Sequence, residues 1–175
     1  MSPTNTHVSF ETDRLFLRPT SIGDASFLLE LMNTPKWLQF IGDRKIETLK
    51  DAEQYIEDKI LPQLNRLGYS NYTVIRKSDD IKLGSCGLYD RDGVEGVDIG
   101  FAFLPAFEKM GYAFEAANKL KIKAGTVFGI KELYGITLQE NEASQILLEK
   151  LGFTFKKMTR IPNDQADLML YHISL

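Results

Sequence analysis

The spacing of hydrophobic and polar positions changes period several times along this chain, and each change predicts an element. Over residues 10–18, Leu15 and Leu17 alternate with Arg14, Phe16 and Arg18, the pattern of a half-buried strand, which Pro19 ends. Ala25, Leu28, Leu29 and Met32 share one face at helical spacing and predict a helix over 21–32. After a short aromatic segment, 36–40, Thr48 is suited to cap a longer helix reaching residue 67, with Ala52, Tyr55, Ile56 and Ile60 on its inner side. Pro62 should kink or divide that helix, and Gly68 should stop it.

Three strands joined by short turns come next, over 69–76, 81–89 and 94–104. The Asp-Gly step in Asp90-Arg91-Asp92-Gly93 predicts a tight hairpin between the last two. The period then becomes helical again: Ala113, Ala116, Ala117, Leu120, Ala124, Val127 and Phe128 form one face, and Gly129 is the stop. A strand over 133–138, a short helix over 141–151 ending at Gly152, and strands over 153–160 and 168–173 complete the chain. The sum is one mixed α/β domain covering 1–175, with its core over about 10–173: an antiparallel meander, a β-α-β-α unit and a closing hairpin.

Composition narrows the function classes. The 175 residues carry a formal net charge of −3 and no basic stripe, which argues against direct nucleic-acid binding. The single cysteine, Cys86, permits no intramolecular disulfide and points to a reducing, cytoplasmic setting. The polar, fraying start at 1–7 has no signal-peptide pattern, and no apolar run is long enough to suggest a membrane helix. Two separated histidines, His7 and His172, with no cysteine cluster make a metal site improbable.

Chemistry concentrates in two segments. In the first, a strand ends at Pro105, a loop carries Gly111, and a small-residue helix begins at once. The first turn of a helix leaves N–H groups unpaired at the positive end of its dipole, which suits an anion. A plain strand-to-helix turn accounts for this segment equally well. The second segment is Asn141-Glu142-Ala143-Ser144, where Asn141 suits an N-cap and Glu142 a first helical turn.

Together with the opening Glu11-Thr12-Asp13-Arg14-Leu15-Phe16-Leu17-Arg18-Pro19, the meander's Leu83-Gly84-Ser85-Cys86-Gly87-Leu88 and the closing Leu151-Gly152-Phe153, these segments resemble the GNAT acetyltransferases. The resemblance spans nearly the whole chain and is strongest to the branch containing the bacterial acetylases of ribosomal-protein N-termini. It implies a mostly antiparallel seven-stranded sheet with helices on both faces, acetyl-coenzyme A as co-substrate, a primary amine as acceptor (a small molecule or a protein N-terminus), and a monomer or homodimer. It further implies that the main chain of Glu108, Lys109, Met110, Gly111, Tyr112 and Ala113 holds the pyrophosphate. Phe101, Ala102 and Phe103 would pair with the pantetheine arm, one of their N–H groups polarising the thioester, and Asn141 would touch the arm from the other side. Glu108 departs from the family pattern, which has glutamine or arginine there, and Lys109 is placed to offset its charge.

Acetyl transfer requires an unprotonated amine, and an alkylammonium titrates near ~10, so a base or water relay assists. Asp98 stands where the family often carries a glutamate, with Glu95 as second choice; a solvated strand acid explains Asp98 equally well. Ser144 resembles the residue that protonates the leaving thiolate in the N-terminal acetylating branch, and a first-turn hydroxyl is the bland alternative. Asp90, Asp92, Glu95 and Asp98 make the third strand and its turn acidic, which would favour a cationic amine unless they form a plain solvated hairpin. Trp37 and Phe40 either line the acceptor cleft or pack inside, and Cys86 is expected in the core. Two rivals stand beside the enzyme: a catalytically silent acyl-coenzyme A sensor of the same fold, and a nucleotide-binding module, the latter disfavoured because neither phosphate-loop fingerprint is present.

Overall fold

A computed structural model of the chain describes residues 7–175; the fraying expected at the start concerns mainly residues 1–6, which lie outside it. One eight-stranded sheet runs through the molecule: β1 (Phe10–Glu11), β2 (Leu15–Pro19), β3 (Asn71–Arg76), β4 (Ile81–Asp90), β5 (Val97–Phe103), β6 (Glu132–Leu138), β7 (Thr154–Thr159) and β8 (Leu168–Ser174). Their order across the sheet is β1-β2-β3-β4-β5-β6-β8-β7, and the β5–β6 pair alone is parallel.

Eight strands replace the seven expected because the first one folds back on itself. Thr12 N–H bonds the Leu15 carbonyl at 2.9 Å, and Phe10 comes opposite Leu17. Glu115 fastens this turn from a distant helix, taking bonds from Thr12 Oγ1 at 2.5 Å and Arg14 N–H at 3.0 Å. The hairpin between β4 and β5 also differs from expectation. Gly93 does take a positive φ of 87°, but β5 starts at Val97, so the connection is a loop over 91–96 and not a two-residue turn.

Helices cover both faces, as expected. On one, α5 (Tyr112–Thr126) and α6 (Glu142–Lys150) close a core with Leu15, Leu17, Tyr72, Leu83, Cys86, Leu88 and Ile99, to which α5 contributes Ala116, Ala117, Leu120 and Ala124. Val127 lies past the end of α5 and is exposed. On the other face lie α1 (Ala25–Leu31), α2 (Pro35–Phe40), α3 (Leu49–Tyr55) and α4 (Leu61–Leu67), around Leu28, Leu31, Ala52, Ile56 and Ile60. Thr48 caps α3, accepting from Asp51 N–H at 3.1 Å. As expected, the run divides at Pro62, into α3 and α4. A π-turn over Ile56–Ile60, in which Leu61 N–H reaches back to the Ile56 carbonyl, makes room for it, and Gly68 ends α4 at φ 84°.

Candidate active site

The parallel strands β5 and β6 pair only at Val97–Leu133 and Asp98–Tyr134. Beyond Ile99, β5 continues to Phe103 along β4, and β6 continues to Leu138 along β8, with no bond between them. The sheet therefore splits into a V. Leu104 N–H bonds the Leu83 carbonyl of β4. Bonding alternates along an antiparallel strand, so the N–H and C=O groups of Ala102 and Gly100 also face β4, while those of Phe103 and Phe101 face the gap and Ile99 N–H completes the pairing with Tyr134 of β6. Of the three residues expected to meet the pantetheine arm, Phe101 and Phe103 present main-chain groups to the gap and Ala102 does not.

Both helix starts border the open end of the V. After β5, a loop over 104–111 leads into α5, with Lys109 at φ 60° and Gly111 at φ 80°. Left-handed geometry at a non-glycine residue is uncommon, and with Gly111 it turns successive amides toward one side, the form of an anion-binding nest. From Lys109 to Phe114 no backbone N–H is bonded to a described residue. Arg14 braces this loop from beneath. Its Nη1 donates to the Met110 carbonyl at 3.1 Å, and its guanidinium lies 4.4 Å from the centre of the Tyr112 ring. Arg76 stands over Phe107 at 5.2 Å. Glu108 is neutralised by Lys36 of α2, at 2.5 Å, and not by the exposed Lys109 as expected. Both loop arginines were missed in the sequence because their partners lie far along the chain.

After β6, Asn141 caps α6, its Oδ1 accepting from Ser144 N–H at 3.3 Å. Ser144 is half-buried, and its hydroxyl bonds no described residue.

Asp98 sits at the fork of the V. It is not a solvated strand acid: it is 1% exposed, and its Oδ1 accepts from Arg91 Nε at 3.1 Å. Burial pushes its carboxyl above the usual value, with Arg91 pulling the other way. Next to it the Tyr89 ring lies across Gly87 and Gly100, where an added Cβ would approach to 2.4 Å and 2.9 Å, and Tyr89 Oη donates to Asn71 Oδ1 at 2.6 Å. This bond begins a buried polar chain unforeseen in the sequence: Asn71 to Thr20, Thr20 to Thr73, Thr73 to Asp24. Arg18 and Lys82 both pair with Asp24.

Most of the acidic hairpin is paired within the protein. Asp98 is paired with Arg91, Asp90 with Arg66, and Glu95 with Lys156 and Lys157, which leaves Asp92 alone of the four without an ion pair among the described residues. Glu95, the second-choice base, is thereby engaged. Trp37 packs partly against the core formed by α1 and α3, and its buried Nε1–H has no partner among the described residues. Phe40 is half-buried. Cys86 is fully buried, and burial pushes its thiol up to about 12, so it is a core residue and not a nucleophile. Among the described residues no group of His, Cys, Asp or Glu is arranged to hold a metal, and no helix is long and apolar enough to cross a membrane.

A family model described as an acetyltransferase (GNAT) domain matches residues 14–154, and the chain belongs to the GNAT acetyltransferase family. The N-acetyltransferase YoaA of Bacillus subtilis (strain 168), itself uncharacterised, is 24% identical over 144 residues, 82% of this chain and 81% of its own. The fold matches that of RimL, a ribosomal L7/L12 α-N-protein acetyltransferase solved with coenzyme A, at a TM-score of 0.80 and 17% identity over 96% of this chain and 98% of that one. The ribosomal-protein-S5-alanine acetyltransferase of Vibrio fischeri matches at 0.75 and 16% identity, over 95% and 96%.

Proposed function

We propose that this chain transfers an acetyl group from acetyl-coenzyme A to a primary amine by direct attack of the amine on the thioester. The observation that carries the reading is the split between β5 and β6, which leaves the Phe101 and Phe103 amides facing a gap between two helix starts. The co-substrate supplies the activated acetyl group and a thiolate leaving group. The chain's own part is to bind and to move protons. The free amides from Lys109 to Ala113, with Glu108 drawn aside by Lys36, hold the pyrophosphate. The Phe101 amide donates to the carbonyl oxygen as negative charge grows there. Asn141 orders the start of α6 and flanks the arm, and Ser144 Oγ, free of other bonds, gives its proton to the departing sulfur. Asp98 draws the proton from the amine through a water, its raised proton affinity bringing it nearer to the working pH than an ordinary carboxylate.

The test is calorimetric titration with acetyl-coenzyme A, followed by an amine panel read by thiol release. Binding with release for one class of amine supports the reading. Binding without release for any amine turns it toward a silent acyl-coenzyme A sensor, and absence of binding removes it.

A further inference from the structure

Few contacts hold α2 to the rest of the protein. Among the described residues it is the one helix of α1–α4 that contributes no fully buried side chain. Trp37 packs partly against the core, while Leu38 and the C-cap Ile41 stay exposed. The chain then leaves through Gly42, at φ 113°, where no described atom lies within 4 Å of the place a Cβ would take. The long-range polar contact of α2 is that of Lys36 with Glu108, 2.5 Å apart and 72 residues distant in sequence.

Glu108 stands at the edge of the anion nest. The next amide, that of Lys109, opens the run of unbonded N–H groups. A glutamate carboxylate cannot lie farther from the next residue's amide than about one Debye length, ~8 Å at physiological ionic strength, so an anion held there feels its charge. The Glu108 side chain is 25% exposed, and solvent screens it only in part. The arginines of this region do not neutralise it, since Arg14 is paired with Glu115 and Arg76 with Asp79. Unpaired, Glu108 would repel a diphosphate; paired with Lys36, it does not. Lys36 reaches it only while α2 is docked.

We propose that α2 and the coenzyme diphosphate are coupled through the Lys36–Glu108 pair. Lys36 is a positioning residue that clears the charge of Glu108 from the nest, and coenzyme binding in return fastens α2 to the loop. The return effect follows from linkage: if docked α2 favours the diphosphate by some factor, the diphosphate favours docked α2 by the same factor. The inference rests on the acetyltransferase reading above and adds a helix on the opposite face of the sheet to its coenzyme site.

The experiment is calorimetry with acetyl-coenzyme A and with acetyl-pantetheine, which lacks the diphosphate, on the wild type, Lys36→Ala, Glu108→Gln and the double variant. Lys36 is 54% exposed, so its truncation leaves the fold intact. Lys36→Ala is expected to weaken acetyl-coenzyme A about tenfold, the worth of one uncompensated charge near the diphosphate, and to leave acetyl-pantetheine unchanged. In the Glu108→Gln background the same substitution is expected to cost nothing. Trp37, the single tryptophan of the chain and the neighbour of Lys36, reports on α2 itself. Acrylamide quenching of Trp37 in the wild type should fall with acetyl-coenzyme A and not with acetyl-pantetheine, an arm that needs no variant. Equal loss of both ligands in Lys36→Ala, or no loss, overturns the proposal. A loss that persists in the Glu108→Gln background overturns it in favour of direct contact between Lys36 and the diphosphate. Quenching that ignores acetyl-coenzyme A, or falls equally with both ligands, overturns the coupling. A wild type that does not bind acetyl-coenzyme A condemns the function reading instead.

Discussion

Arg14 Nη1 donates to the carbonyl of Met110 at 3.1 Å, joining the turn between β1 and β2 to the loop before α5. The same guanidinium pairs with Glu115 at 2.7 Å and lies against the Tyr112 ring. Its side chain is 46% exposed, so the ion pair adds at most about 1 kcal/mol to stability. Its larger effect is on the loop. Arg14→Ala is expected to weaken acetyl-coenzyme A binding about tenfold, the loss of about one hydrogen bond's worth of order, while leaving acetyl-pantetheine, which lacks the pyrophosphate, bound as before. Parallel titrations with the two ligands check this; equal weakening of both would remove Arg14 from the pyrophosphate site.

In the proposed reaction Asp98 sets the acidic side of the rate profile. Burial raises its carboxyl above the usual value, so the base form fills later on going up in pH than for an exposed aspartate. The logarithm of kcat/KM should therefore rise with pH through a limb lying above 3.8. Asp98→Asn should abolish that limb and lower the plateau by about a hundredfold. A variant that keeps both rate and limb would show that the amine loses its proton elsewhere.

Ser144→Ala offers a separation of chemistry from folding. The cap of α6 is made by Asn141 Oδ1 with the Ser144 backbone N–H, which alanine retains. Stability and acetyl-coenzyme A affinity should hold, while kcat falls about a hundredfold. An unchanged kcat would leave the hydroxyl as an ordinary first-turn group.

Asp24 makes stability depend on acid. Burial pushes its carboxyl up, but hydrogen bonds from Arg18, Lys82 and the Ser21 N–H outweigh burial and hold it well below its ordinary 3.8. A depressed folded-state value stabilises the fold above the unfolded value, and that stabilisation drains away as pH falls from about 4 toward the folded value. Asp24→Asn should cost about 3 kcal/mol at pH 7, because Arg18 and Lys82 lose their counter-charge, and the gap to wild type should close in acid. Urea unfolding across pH 3–7 reads both; curves that stay parallel would contradict the coupling.

Tyr72 carries a buried hydroxyl with no partner among the described residues, and burial drives its ionisation far up. Tyr72→Phe keeps the ring packed against Phe10, 5.7 Å between centres, and removes an unsatisfied polar atom. A gain of about 1 kcal/mol is expected by urea denaturation. A loss of similar size would mean that the hydroxyl has a water partner.

Much of the fold could be read from periodicity. The helical faces of α1, α3 and α5, the cap at Thr48, the stop at Gly68 and the buried Cys86 follow from spacing within a few turns or strands, because each is decided by local backbone geometry and side-chain size. The small-residue loop before α5 and the Asn141 cap were legible for the same reason. Tertiary structure alone decided the rest, and always where two distant residues meet. It folded the first strand into a hairpin by tying Thr12 and Arg14 to Glu115, and it drew Glu108 to Lys36. It also buried Asp98 against Arg91 and Tyr89 when a pattern of alternating polarity would have left it in water. Periodicity reports which face of an element is apolar. It carries no record of which charge from another element will share that face, and the protonation of this site depends on that pairing.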